Sequence, residues 1–263
     1  MPQLAANLSS LFTEVPFLDR FEAAAKAGFR GVEFHAPYDY TPAEILARAG
    51  ANDVQVVAFD SPAGDAGRGE LGLASLEHRE EDFRRSIALA LDWAEKLACP
   101  RIHVLAGAVA ADDATTKRFV HNLQAAAELA ARACVILLIE PISARSEPEY
   151  FLRTTEQAIA IIDRIAVPNV RLLLDLYHCE MNGEDTARAI RDLYRYYGHV
   201  QIAGVPERHE PDNERSLALL REFDEMGYPG WVGCEYVPRR GTLEGLTWAA
   251  PFGITGASVA HDR

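Results

Sequence analysis

The stretch "VRLLLDLYH", residues 170–178, decides the fold. Leu172, Leu173 and Leu174 form a short apolar run that stops at Asp175, with His178 three residues on. A strand covered on both faces reads as a continuous apolar run, and a parallel sheet is where such strands occur. A carboxylate placed at the end of one is costly to bury unless it is paired or bound to a cation. The same signature recurs along the chain, in "QLAANL" (3–8), "GVEFH" (31–35), "VQVVAFD" (54–60), "RIHVLAG" (101–107), "VILLIEP" (135–141), "HVQIAG" (199–204) and "WVGCEY" (231–236). With 170–178 these make eight expected strands.

Between them lie segments with apolar residues at helical spacing: 17–28, 41–50, 79–99, 116–133, 154–166, 185–198 and 216–227. Gly28 reads as a C-cap, and Thr154 reads as the start of a capping box. Strand and helix alternating in this way predict an α/β fold, a (β/α)8 TIM barrel of one domain over 1–250, followed by a poorly ordered tail, 251–263. A doubly wound sheet is the competing architecture. No GxGxxG or GxxxxGK[ST] follows any strand to support it. The Gly-rich segment "SPAGDAGRGELGLASLEH" (61–78) reads as a long loop, functional or mobile.

Composition excludes several classes. The 263 residues carry a formal net charge of −13, which repels phosphate backbones and argues against nucleic acid as a partner. No run of about 18 apolar residues is present to span a membrane. The start "MPQLAANLSSLF" lacks the basic, long apolar pattern of a secretory signal, so the expected location is cytoplasmic. The four cysteines form no CxxC pair and read as reduced thiols, Cys134 and Cys234 as small packing residues. The helical patterns leave homo-oligomer formation open.

In a (β/α)8 barrel the active site lies at the C-terminal ends of the strands. Four consecutive strands end in Glu140, Asp175, Gln201 and Glu235, which therefore converge. Three carboxylates that close cannot all stay ionised unaided, so either protons or a divalent cation must join them. Asp, Glu and Gln oxygens suit Mg or Mn. His178, one turn past Asp175, can face the same pocket. Arg208, in "VPERHEP" (205–211), can hold a substrate carboxylate in a bidentate fork. Asn7 and His103 are further candidate substrate contacts, and "EFHAPYDY" (33–40) places His35, Tyr38, Asp39 and Tyr40 near the rim. Two carboxylates facing one substrate suit proton shuttling beside a carbonyl through an enediolate, in an aldose–ketose type isomerase or an epimerase.

The stretches "AANLSSLFTEVPFLDRF", "AGFRGVEFHAPYDY", "PAGDAGRGELGL", "LLIEPI", "HVQIAGVPERHEP" and "GYPGWVGCEY" together resemble the hydroxypyruvate isomerase family of xylose-isomerase-like barrels, over nearly the whole chain. "FTEVPF" and "HVQIAGVPERHEPD" are similar to its 2-oxo-tetronate isomerase branch. The resemblance implies a small sugar-acid substrate, a 2-oxo-tetronate or hydroxypyruvate, with Glu140 and Glu235 as the acid/base pair. Related barrels imply a divalent metal on Glu140, Asp175, Gln201 and Glu235. One departure falls on the substrate rim. Where the family continues with Gly-Glu-Ile-Asn-Tyr, residues 212–220 read "DNERSLALL". The competing activities are a metal-dependent ketose 3-epimerase, an abasic-site endonuclease-like metal hydrolase, which would need more His and Asp ligands and a basic groove, and a non-catalytic binding barrel.

Overall fold

The computed structural model describes residues 1–256. Eight parallel strands close into a barrel in the order of the sequence, with β1 (Gln3–Asn7) paired to β8 (Trp231–Cys234). The others are β2 (Gly31–Phe34), β3 (Gln55–Asp60), β4 (Arg101–His103), β5 (Ile136–Ile139), β6 (Val170–Asp175) and β7 (Tyr197–Ile202). Every expected strand is present, which makes the chain a (β/α)8 TIM barrel.

The helices pack outside. They are α1 (Arg20–Ala27), α2 (Pro42–Ala51), α3 (Glu80–Leu97), α4 (Asp113–Arg132), α5 (Thr155–Ile165), α6 (Leu176–Asn182), α7 (Thr186–Asp192), α8 (Glu214–Glu225) and α9 (Thr242–Gly245). Each long helix turns one stripe inward. In α3 that stripe is Phe83, Ile87, Ala90, Trp93, Ala94 and Leu97. Burying each large apolar side chain contributes about 1.5–3 kcal/mol, so a charge introduced at Ile87 would remove that and add a desolvation cost.

Local chemistry sets the ends. Thr41 and Glu44 form a reciprocal capping box at α2. Thr154 caps α5 by accepting from the Gln157 amide. Gly28 ends α1 at φ 106, and a Cβ there would lie 2.6 Å from the Gly253 carbonyl oxygen, so both the backbone angle and the space call for glycine.

Three expectations change. The sixth strand stops at Asp175 rather than at His178: the Asp175 side chain accepts from the Tyr177 amide and starts α6. An N-cap thus competes with strand continuation and wins. Residues 251–256 are not a loose tail. Leu246–Phe252 form a 3-10 turn, Ile254 is buried, and the Thr255 amide donates to the Ala27 carbonyl at 2.7 Å. Residues 257–263 of that expected tail lie outside the described residues. Cys134 is exposed, not core, because it sits past the end of α4 at φ 55. Cys234 is buried, and burial pushes its thiol well above the usual range, consistent with packing. Among the described residues no helix is long and apolar enough to cross a membrane.

Candidate active site

Each of the eight strands places a polar side chain within one residue of its C-terminal end. In order they are Asn7, Glu33, Asp60, His103, Glu140, Asp175, Gln201 and Glu235. Above this ring lies a cavity of about 410 Å³, lined by His35, Asp60, His103, Glu140, His178, Arg208 and Glu235, with Ser61, Ala63 and Leu71 of the Gly-rich loop on one wall.

Glu140 is 6% exposed, and its Oε1 has no hydrogen-bond partner. Burial, reinforced by the charges of Asp175 and Glu235, pushes its pKa well above the usual carboxylate range. Its surroundings favour the protonated form. Its Oε2 lies 3.6 Å from His103 Nε2, which is also unpartnered. His103 Nδ1 is 3.1 Å from Asp60 Oδ1, which ties the ring to β3.

Glu235 has the opposite environment. Burial alone would raise its pKa, but the Arg208 charge and the His35 hydrogen bond outweigh burial and hold it well below the carboxylate range. Arg208 Nη2 donates to Glu235 Oε1 at 2.6 Å, and His35 Nε2 stands 3.4 Å from the same oxygen. Glu235 in turn keeps His35 protonated against the cost of partial burial.

Arg208 is aimed by its loop. Its backbone takes φ 56, the Gly204 amide donates to the His209 carbonyl at 2.8 Å, and the guanidinium lies 4.9 Å over the Tyr177 ring. It also reaches Asp175 Oδ2 at 3.3 Å. His178 is buried, which lowers its pKa and leaves the ring neutral. The Ser143 amide approaches Nδ1 at 3.2 Å and Arg208 Nη1 approaches Nε2 at 3.3 Å. A neutral ring accepts only one of these. With the backbone donor fixed on Nδ1, Nε2 carries the hydrogen toward Asp175 Oδ2 and Glu140 Oε1, 3.6 and 3.9 Å away.

Of the residues expected at the site, Glu140, Glu235, His178, Arg208 and His103 share the cavity. Asn7 does not line it; its amide donates to Glu33 and Glu235 beneath the floor. Tyr38 packs on Trp93 and Tyr40 stacks on Phe17, both as parts of the apolar core margin. His209 turns to the Val237 carbonyl. Residues 212–220 start α8, with Asn213 as its N-cap and Asp212 paired to Arg239. Asp60 and Glu33 are the site residues that sequence reasoning underused. Asp60 ends β3 as Asp175 ends β6, and Glu33 lies one residue before the end of β2.

For a divalent cation, Glu140, Asp175 and His178 offer donor atoms within 4.8 Å of one another. The buried, unpartnered oxygens of Glu140 and Gln201 are hard donors of the kind Mg or Mn takes. The residues therefore fit such an ion. Within the expected set of Glu140, Asp175, Gln201 and Glu235, Gln201 presents nitrogen, not oxygen, to Glu235, at 2.6 Å.

This barrel, with its ring of strand-end carboxylates, defines the class: the chain belongs to the xylose isomerase-like TIM barrel family, whose model matches residues 21–252. Within it, the 2-oxo-tetronate isomerase of Cupriavidus necator is 45% identical over 96% of this chain and 99% of its own length. The hydroxypyruvate isomerase of Escherichia coli is 37% identical, over 96% of this chain and 100% of its own. The crystal structure of the Brucella melitensis protein described as AP endonuclease, family 2 superposes with a TM-score of 0.93, at 41% identity over 96% of this chain and 100% of its own. The chain is accordingly an enzyme, an isomerase of the intramolecular oxidoreductase type.

Proposed function

We propose that the enzyme interconverts carbonyl and hydroxyl groups on adjacent carbons of a small sugar acid, a 2-oxo-tetronate or hydroxypyruvate, by a two-glutamate proton shuttle. The observation that carries this reading is the pair of buried glutamates facing one cavity in opposite surroundings, Glu140 with an unpartnered oxygen and Glu235 bound by Arg208 and His35. Environments that push two titratable groups apart assign acid and base.

Glu235 takes the proton from the hydroxyl-bearing carbon. The electrons form the enediolate, the hydroxyl proton passes to the neighbouring oxygen, and Glu140 delivers its proton to the former carbonyl carbon. His178 Nε2–H donates to a substrate oxygen. Arg208 and His35, both cationic at the cavity, hold the substrate carboxylate and favour anionic substrates over neutral sugars. A divalent cation held through Asp175, with Glu140 as a further ligand only once its proton has left, would supply Lewis-acid stabilisation of the enediolate oxygens.

The test is proton NMR in D2O with hydroxypyruvate, a 2-oxo-tetronate and neutral ketoses, each with and without EDTA. Isomer appearance from an acid with deuterium at the reacting carbon supports the shuttle. Turnover of neutral ketoses and not of the acids would assign the site to epimerisation instead.

A further inference from the structure

The proton shuttle leaves one buried carboxylate unused. Glu33, on β2, is 2% exposed and lies beneath the cavity floor. Three nitrogens meet it: His199 Nε2 lies 2.5 Å from Oε2, and Gln201 Nε2 and Asn7 Nδ2 donate to Oε1 at 2.7 and 3.1 Å. Each carboxamide nitrogen has two hydrogens. The same two nitrogens also donate to Glu235 Oε2, Gln201 at 2.6 Å and Asn7 at 3.2 Å. Glu33 and Glu235 thus face each other through two carboxamides, and both amides are oriented from below. With Oε2 occupied by these donors, Glu235 Oε1 is the oxygen left at the cavity, beside Arg208 and His35. The space for Glu33 is provided by Gly233 on β8, since a Cβ there would overlap the Glu33 carboxylate.

We infer that Glu33, held by His199, is a positioning residue that fixes the Asn7 and Gln201 amides on Glu235 and so sets which Glu235 oxygen meets the substrate. The inference rests on the reading of Glu235 as the base. A carboxylate that merely stabilised the barrel would not need to share its donors with Glu235.

Two variants approach Glu33 differently. Glu33→Gln puts an NH2 group where three nitrogens already point, so one carboxamide must turn away. Gly233→Ala displaces the carboxylate from the opposite side and keeps every hydrogen-bonding residue. Each is expected to lower kcat about 10–100-fold, the range for residues supporting a catalytic group, with KM within about threefold. Because both act through one carboxylate, the double variant should be no worse than the poorer single one; multiplying losses would overturn the inference, as would kcat within threefold of wild type in either folded variant. In the wild-type protein, the side-chain amide protons of Asn7 and Gln201 should exchange slowly with solvent by NMR. Rapid exchange overturns the inference whether or not the variants fold. This readout needs no substrate: if wild type turns over none of the acids, the isomerase reading fails while the amide positions are still tested.

Discussion

Replacing Arg208 by methionine isolates the charge that keeps Glu235 ionised. The two side chains are 25% and 15% exposed, and the pair is joined at 2.6 Å. With charge centres about 4 Å apart and an effective dielectric near 20, the attraction is about 4 kcal/mol, roughly 3 pKa units. Water entering the vacated space and the remaining His35 contact keep the net rise below that figure. Glu235 acts as base only when ionised. In the wild type its pKa lies well below the carboxylate range, so kcat/KM should stay level as pH falls, until acid unfolding intervenes. In Arg208→Met the acid limb should rise into the measurable range. The same shift acts on stability. A depressed carboxylate pKa contributes stability that is present above the unfolded pKa and lost as pH falls through the folded one, so the variant should lose acid resistance. The assay is the pH profile of kcat/KM for isomerisation, alongside thermal unfolding at pH 7 and 4. An acid limb that stays where the wild type has it, in a folded variant, would refute the reasoning.

Glu140→Gln and Glu235→Gln should each lower kcat about 10²–10⁴-fold, measured by proton NMR; near-normal turnover in either removes it from the shuttle. Because burial raises the Glu140 pKa, wild-type activity should fall on the alkaline side, and an alkaline limb that persists unchanged in the residual activity of Glu140→Gln would contradict Glu140 as the acid. Dialysis against EDTA should lower turnover at least about tenfold, restored by Mn or Mg, with bound metal followed by elemental analysis. Gly28→Ala meets both a φ of 106 and the Gly253 carbonyl at 2.6 Å, and should cost about 1–3 kcal/mol by denaturant unfolding without changing KM.

The barrel was legible because its strands are buried on both faces. "VILLIE" and "VRLLLD" show no alternation to confuse with a solvent-facing sheet, and each apolar run ends in the polar group the site uses. Glu140 and Glu235 were legible as strand-end carboxylates for the same reason. The end of β6 was not, because "LYHC" is as apolar as a strand, and only the Asp175 side chain accepting from the Tyr177 amide turns it into a helix. Asp60 carries the same signal as Asp175 and could have been read. His199 could not: it lies in the middle of β7, and only its contact with Glu33 across the barrel reveals its partner. Residues 251–256 read as a loose end because "PFGITG" is rich in turn residues, although Ile254 is buried and the Thr255 amide reaches α1.

The eight polar strand ends sit on the barrel itself, while Ser61, Leu71, Ser146 and Arg208 are carried above them on connecting segments. Proton chemistry and molecular recognition are thereby stored in separate parts of the chain. Within the segment 61–78, Leu73, Ala74 and Ser75 are buried against the barrel, so a graft to redirect which molecule enters would be confined to residues 62–71. The scaffold is suited to directed evolution by loop replacement, with Arg208 as the point where the two inventories meet.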